Sequence, residues 1–165
     1  MSPDTSPQMF YISIVIERQS VRNHPWLKHR WRVVGVVVAE EKQSRQRVLI
    51  REDAENTWFM WQGFTLQLHR DQAPSYYHNL TSETPQLFVI CHPSSDFPEP
   101  TPFLVTLSDD EACAYLEASS EVHNVDIPPS IYPWLEKYVV ENYIPDAPKK
   151  RQREAWFKDA PPRES

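Results

Sequence analysis

Residues 103–118 read "FLVTLSDDEACAYLEA", and the change of pattern inside this stretch decides the fold class. Phe103–Leu107 is a short aromatic and β-branched run of the kind that fills a buried strand. Ser108 then stands three residues before Glu111, the spacing of a capping box, and Asp109, Asp110 and Glu111 place negative charge beside the positive end of a helix dipole. The spacing predicts a helix from there to about Ala118. Downstream, "EVHNVDI" (121–127) reads as one more strand, after which Pro128 and Pro129 open a second helix. Its apolar residues Ile131, Trp134, Leu135, Tyr138 and Val139 recur at the spacing of a single core-facing stripe, and Pro145 closes it.

Upstream the pattern is strand-like throughout. "FYISIVIER" (10–18) alternates, with Phe10, Ile12, Ile14 and Ile16 on one face and Tyr11, Ser13 and Glu17 on the other. "RVVGVVV" (32–38) is almost continuously β-branched, which predicts a strand covered on both faces, and "EEKQSRQ" (40–46) a solvated connection. "TWFMWQGFTLQLHRD" (57–71) reads as two strands about Gln62 and Gly63, or as one strand with a bulge or bend at Gly63, with Phe64, Leu66 and Leu68 inward and Thr65, Gln67 and His69 outward. "YYHNLTS" (76–82) and "QLFVICH" (86–92) read as a further strand pair. The four prolines of "PSSDFPEPTP" (93–102) impose an extended loop.

Strands first and helices late predict an α+β fold: a bent antiparallel sheet or small open barrel with two C-terminal helices. The expected organisation is a disordered lead over 1–9, a single domain over 10–146 and a flexible, disordered basic tail over 147–165, whose apolar content is too low to pack alone. No run approaches the length of a membrane span, and "MSPDTSPQMFYISIVIER" lacks the basic start and cleavage site of a secretion signal, so a cytoplasmic location without membrane contact is expected. Cys91, at the end of a strand, and Cys113, inside a helix, are expected to be reduced core thiols.

Composition excludes several chemistries. The chain has two glycines, Gly35 and Gly63, against sixteen prolines. Loops that cradle phosphates need clustered glycine to reach positive φ and approach the ligand closely, so a Walker loop and a dinucleotide fingerprint are both excluded. His24 and His29 miss the one-turn spacing of paired helical ligands, and Cys91-His92 lacks a second close pair, which gives no reason to expect a metal or any other cofactor. No nucleophile elbow is present. The pairs Glu40-Glu41 and Asp109-Asp110 are accounted for by solvation and by capping, so the sequence favours a binding protein over an enzyme.

Two segments stand out as candidate binding surfaces. "HPWLKHRWRVVGVVV" (24–38) sets Trp26, Lys28, Arg30, Trp31 and Arg32 immediately ahead of an apolar run. As a strand entry it gives Trp26 as a lid on one end of the core; as a docking rim it suits an acidic protein surface or an anionic ligand. The second is the tail, where Lys149, Lys150, Arg151 and Arg153 precede Trp156 and Phe157. Residues 149–165 carry six Lys and Arg against three acids, on a chain whose net charge is -6. Cations that steer and rings that anchor suit a protein partner, whereas an acidic body disfavours nucleic acid.

Several of these segments together resemble a known family. "HPWLKHRWRVVGV", "YYHNLTSETPQLFVI" and "IPPSIYPWLEKYVVENY" followed by "KKRQR" are similar, from about Phe10 to Arg153, to the bacterial family called domain of unknown function 3305, notably at Pro25-Trp26, Trp31, Asn79-Leu80, Pro129 and Lys149 to Arg153. Members are often found beside genes for molybdenum-dependent formate dehydrogenase, and some are labelled molybdopterin-guanine dinucleotide biosynthesis protein A. The resemblance implies a setting of molybdoenzyme assembly, with a formate dehydrogenase subunit or maturation factor as the partner, and it carries no active-site residues. Guanylyl transfer itself is rejected: the strand from Phe10 runs into "ERQSVRNHPW", where a nucleotide loop would need glycine. The alternative expectation is a protein that handles the anionic molybdenum cofactor, with Arg30 and Arg32 on its phosphate.

Overall fold

The computed structural model describes residues 9–20, 29–94 and 99–144. Seven strands and three α-helices follow one another as β1 (Met9–Ser20), β2 (His29–Ala39), β3 (Gln46–Glu52), β4 (Asn56–Gln67), α1 (Ala73–Leu80), β5 (Gln86–His92), β6 (Thr101–Thr106), α2 (Asp109–Glu117), β7 (Glu121–Asp126) and α3 (Tyr132–Asn142). The fold is α+β, as the order of patterns implies. Every strand pairing is antiparallel, and the strands form two sheets, one of four strands in the order β2-β1-β4-β3 and one of three in the order β6-β5-β7. β2 lies against β7, and β4 against β6. Neither approach is hydrogen-bonded into a ladder, so the two sheets wrap a common core as an opened barrel.

The alternation of β1 builds that core. Ile12, Ile14 and Ile16 are at most 2% exposed and sit opposite Phe64, Trp61 and Phe59 of β4. Leu87, Val89 and Cys91 of β5 close the cluster from the second sheet. Ile131, Leu135 and Val139 of the helical stripe fill one end, with Trp134 and Tyr138 packed against them. Phe10 meets Trp134 edge-on at 4.7 Å between ring centroids, which ties the first strand to the last helix.

Residues 56–67 form one strand rather than two. Its register against β1 slips near Gly63, whose φ is +95°, so the alternative of a bulge at Gly63 is the one realised. A Cβ on Gly63 would come within 2.6 Å of the Arg45 backbone, so this position requires glycine for space as well as for conformation.

Residues 76–82 do not extend the sheet. Residues 76–80 belong to α1, opened by Pro74, with Thr81 and Ser82 in the turn after it, and the buried positions of that helix are Ala73, Ser75, Tyr76 and Asn79. Two of those four are polar, which hides the helical stripe from hydropathy. Asn79 Nδ2 donates to the carbonyls of Gln86 (2.7 Å) and Leu107 (3.0 Å), and its Oδ1 accepts from the Gln86 N–H (3.0 Å), so one amide joins α1 to β5 and to the turn before α2. Ser75 Oγ donates to Asp109 Oδ1 (2.7 Å) and accepts from the Asp110 N–H (3.0 Å).

The predicted cap is present in modified form. Ser108 Oγ accepts from the Glu111 N–H at 3.0 Å, the first half of a capping box. The Glu111 carboxylate takes the Thr106 hydroxyl (2.6 Å), and Thr106 in turn accepts the Ser108 N–H (3.0 Å), so the threonine relays the second half. α3 begins at Tyr132, a turn later than Pro128 and Pro129 suggest, because those prolines form the turn in which Ile131 N–H donates to Pro128 C=O (2.9 Å).

Two further differences concern β2 and Cys113. β2 is an edge strand covered on one face: Val33, Val36 and Val38 pack on the core, while Val37 is 48% exposed. Cys91 is buried as expected, but Cys113 faces outward on α2. Of the lead expected over 1–9, Met9 is the first residue of β1 and residues 1–8 lie outside the described residues, as does the tail expected over 147–165.

Candidate functional site

A strand entering a sheet alternates its side chains, and β2 does so from its first residues. Trp31 falls on the inner face opposite Arg18 of β1, while Arg30 and Arg32 fall on the outer face opposite Gln19 and Glu17. The Arg18 guanidinium lies 5.7 Å from the centre of the Trp31 ring and 5.8 Å from that of Phe59, and it donates to Thr57 Oγ1 at 2.9 Å. On the other face Arg32 Nη2 reaches Glu17 Oε1 at 2.9 Å. Glu17 is only 4% exposed, so this guanidinium compensates a carboxylate that the sheet has taken out of water.

Where β2 approaches β7 the two sheet edges leave a groove of about 440 Å³, lined by Trp31–Val34 on one side and by Gln86 and His123–Asp126 on the other. Both strands are terminal in their sheets, so each turns toward this groove the backbone edge that no ladder uses. Polar side chains rim it: Arg32, Asn124 and Asp126 are exposed, and His123 Nε2 lies 3.2 Å from Glu121 Oε1. The arrangement offers backbone donors and acceptors with a mixed-charge border, the requirements for holding an extended polypeptide segment.

The groove is not assembled around a reacting group. Cys91, pushed up to about 12 by burial and by the charge of Glu121, lies inside the second sheet. Tyr76, pushed up to about 12 chiefly by burial, accepts a hydrogen bond from the His69 N–H behind α1. Burial lowers Arg45, and backbone hydrogen bonds from Asn56 and Glu55 hold Asp53 down in a turn. None of the four lines the groove. Among the described residues, no three His, Cys, Asp or Glu side chains converge as metal ligands. A second cleft of similar size, lined by His69, Asp71, Gln72, Asp110, Glu111 and Ala114, lies where α1 and α2 begin, and the Glu111 carboxylate there is already engaged by Thr106.

Of the binding residues expected from sequence, Trp31 and Arg32 line this groove, and Arg30 lies exposed one residue before them on β2, outside the lining. Trp26, Lys28, Lys149, Lys150, Arg151, Arg153 and Trp156 lie outside the described residues. The facing wall, Gln86 of β5 and His123–Asp126 of β7, has no counterpart in the sequence reading, because a six-residue amphipathic strand gives no sign of which other edge it will meet.

A family model described as "Protein of unknown function (DUF3305)" matches residues 11–153. The chain belongs to the DUF3305 family. The match runs from β1 through α3 and takes in both walls of the groove, so the groove is built within the DUF3305 region. No curated protein and no solved structure matches the chain. No helix among the described residues is long and apolar enough to cross a membrane.

Proposed function

We propose that this DUF3305 chain is a binding protein of molybdoenzyme assembly, which holds a segment of a formate dehydrogenase subunit or maturation factor against the groove between β2 and β7. The observation that carries the reading is the groove itself: two strand edges, each terminal in its sheet, facing one another, with Trp31 and Arg32 on one wall. The molybdoenzyme setting rests on the family resemblance. The basic segment Lys149 to Arg153 and Trp156 serve as a second, steering contact in this reading, with the cations accelerating encounter and the ring anchoring it.

The rival reading, a small-anion carrier with Arg30 and Arg32 on a phosphate, is weakened by geometry, since Arg32 is already engaged by Glu17. Co-purification with formate dehydrogenase from the native organism tests the proposal. Arg30→Glu combined with Asn124→Arg, both at exposed positions, is expected to lower recovery of the complex at least tenfold, about 1.4 kcal/mol. Deleting residues 147–165 is expected to slow association and reduce its salt dependence. A complex indifferent to both changes removes the proposal, and saturable binding of GTP or released cofactor in a calorimetric titration replaces it with the rival.

A further inference from the structure

Among the described residues, Arg32 on one wall and Asp126 on the other are the formal charges that line the groove between β2 and β7. They are unequally met. Arg32 is bound at 2.9 Å to Glu17, a carboxylate only 4% exposed, so its charge balances one that the sheet has already buried. Arg30 lies on β2 one residue outside the lining, and Arg18 lies on the inner face over Trp31 and Phe59. His123 Nε2 is held against Glu121 Oε1 at 3.2 Å. Asp126, the last residue of β7, is exposed, and its side chain has no hydrogen bond or ion pair among the described residues.

β7 alternates along its length. Val125 packs into the core, so Asn124 and Asp126 stand on the opposite, outer face. An extended segment laid along this edge obeys the same alternation. Its inward side chains meet Val33 and Val125, and its outward side chains meet Asn124 and Asp126. Resting on the reading of this groove as a polypeptide site, we propose that the segment it holds is basic: an extended stretch that alternates apolar and polar residues and sets a Lys or Arg beside Asp126.

A base in that place matches the lining charge that the fold leaves unmatched. An acid would meet Asp126 as a like charge and would find Arg32 already held by Glu17. An apolar side chain would cover a carboxylate with nothing to replace its water. The chain carries a basic stretch of its own in "KKRQR" (149–153). That stretch has no apolar residue for the inner side, between Val33 and Val125, so a partner's segment is the better match, and Asp126 is the residue that selects it.

Selection of a displayed library of random dodecapeptides on the full chain and, in parallel, on Asp126→Lys tests this. The parent is expected to enrich peptides that alternate apolar and polar residues and carry Lys or Arg, and Asp126→Lys to enrich Asp or Glu instead. A peptide selected on the parent is expected to bind Asp126→Lys at least about tenfold more weakly, and Asp126→Asn about threefold. The position is exposed, and circular dichroism of each variant establishes that it has folded. Peptide-induced shifts of the backbone amide resonances separate failure of the charge from failure of the groove. Shifts at Trp31–Val34 and His123–Asp126 with peptides that are acidic or neutral, or that bind Asp126→Lys equally well, overturn the choice of a base and leave the groove standing. Shifts elsewhere, or no enrichment, overturn the groove as a polypeptide site and the choice of a base with it. If changing Lys149, Lys150, Arg151 and Arg153 to Gln tightens peptide binding about tenfold, the occupant is this chain's own basic stretch, and the assignment to a partner falls.

Discussion

β3 and β2 bound the same four-stranded sheet, yet they are guarded in different ways. β3 carries Arg47, Arg51 and Glu52 within seven residues, and its register breaks between Leu49 and Arg51. Leu49 and Ile50 are 54% and 45% exposed, so apolar side chains alone do not mark an edge as sticky. Charge and a mid-strand bulge spoil β3 as a template. Arg47 does more than repel: its Nε lies 2.5 Å from Glu99 Oε2, and its guanidinium stacks on Phe59 at 3.8 Å. Between Val33 and Ala39 β2 has no such devices beyond the bulge at Val34, and its charges stand at the ends of that run. One edge is thus tied into the fold, whereas the other is left open to a partner.

The contrast predicts that substitutions at β3 act on stability and substitutions at β2 on association. The largest effect belongs to Arg47→Ala. Glu99 is fully buried, and its Oε1 has no hydrogen-bond partner among the described residues, so removal of Arg47 strands a carboxylate in the interior. The expected loss is about 3–5 kcal/mol in urea unfolding, and an apolar replacement of both residues, Arg47→Met with Glu99→Leu, is expected to restore most of it. If Arg47→Ala instead weakened peptide binding and left the unfolding midpoint in place, the assignment of the two edges would be reversed.

A change of pH reaches the interior while leaving the β2 charges alone. Cys91 and Tyr76 are both held at about 12 in the folded chain, against ordinary values of 9.0 and 10.0. Their neutral forms are favoured by folding, so above pH 9 the unfolded chain begins to release protons that the folded chain retains. Stability from this source is complete below pH 9 and declines as pH rises toward 12. Arginine stays charged over that range, so the Arg32–Glu17 contact persists. Loss of binding of an arginine-bearing peptide at the groove is expected to coincide with the loss of tertiary circular dichroism up to about pH 11. Loss of binding well before unfolding would show that the groove depends on a titrating group other than these.

The legible and illegible parts of this chain divide along physical lines. Ile12, Ile14 and Ile16 alternate without interruption, and Ser108 stands at capping distance from Glu111, so both the central strand and the strand-to-helix change could be read directly. α1 could not, because Ser75 and Asn79 hold buried helical positions through hydrogen bonds to other elements, and hydropathy is blind to such partners. β3 gave no signal because its bulge interrupts the alternation that identifies a strand. Of the binding surface, Arg30, Trp31 and Arg32 could be read from their place ahead of an apolar run, but the facing wall on β7 arises only when two sheets close on one another. The run "RVVGVVV" suggested a strand covered on both faces, and Val37 is instead exposed.

Arg32→Ala has a smaller expected effect, and it tests whether one residue serves both the fold and the groove. It leaves Glu17 with the Gln19 amide at 3.3 Å as its remaining side-chain contact described here. Arg32 is itself largely solvated, which limits the loss of stability to about 1 kcal/mol. Arg32→Lys separates the two, because a compact ammonium offers one point of contact where a guanidinium offers a fork. Lysine retained by Glu17 would keep the stability that Arg32→Ala loses.

Val37→Lys has the smallest expected effect on stability, and for that reason it is the sharpest test of the comparison. Val37 lies on the outer face at 48% exposure, outside the set of side chains that pack on the core. A surface substitution of this kind changes stability by no more than about 0.5 kcal/mol. A lysine in the middle of an edge is also the device by which strands refuse a neighbour. Val37 stands beyond the lining of the groove, so the variant should match the parent in thermal unfolding and in peptide binding alike. Weaker binding would mean that the bound segment continues along β2 past Val34, and a lower melting temperature would mean that β2, like β3, is tied into the fold.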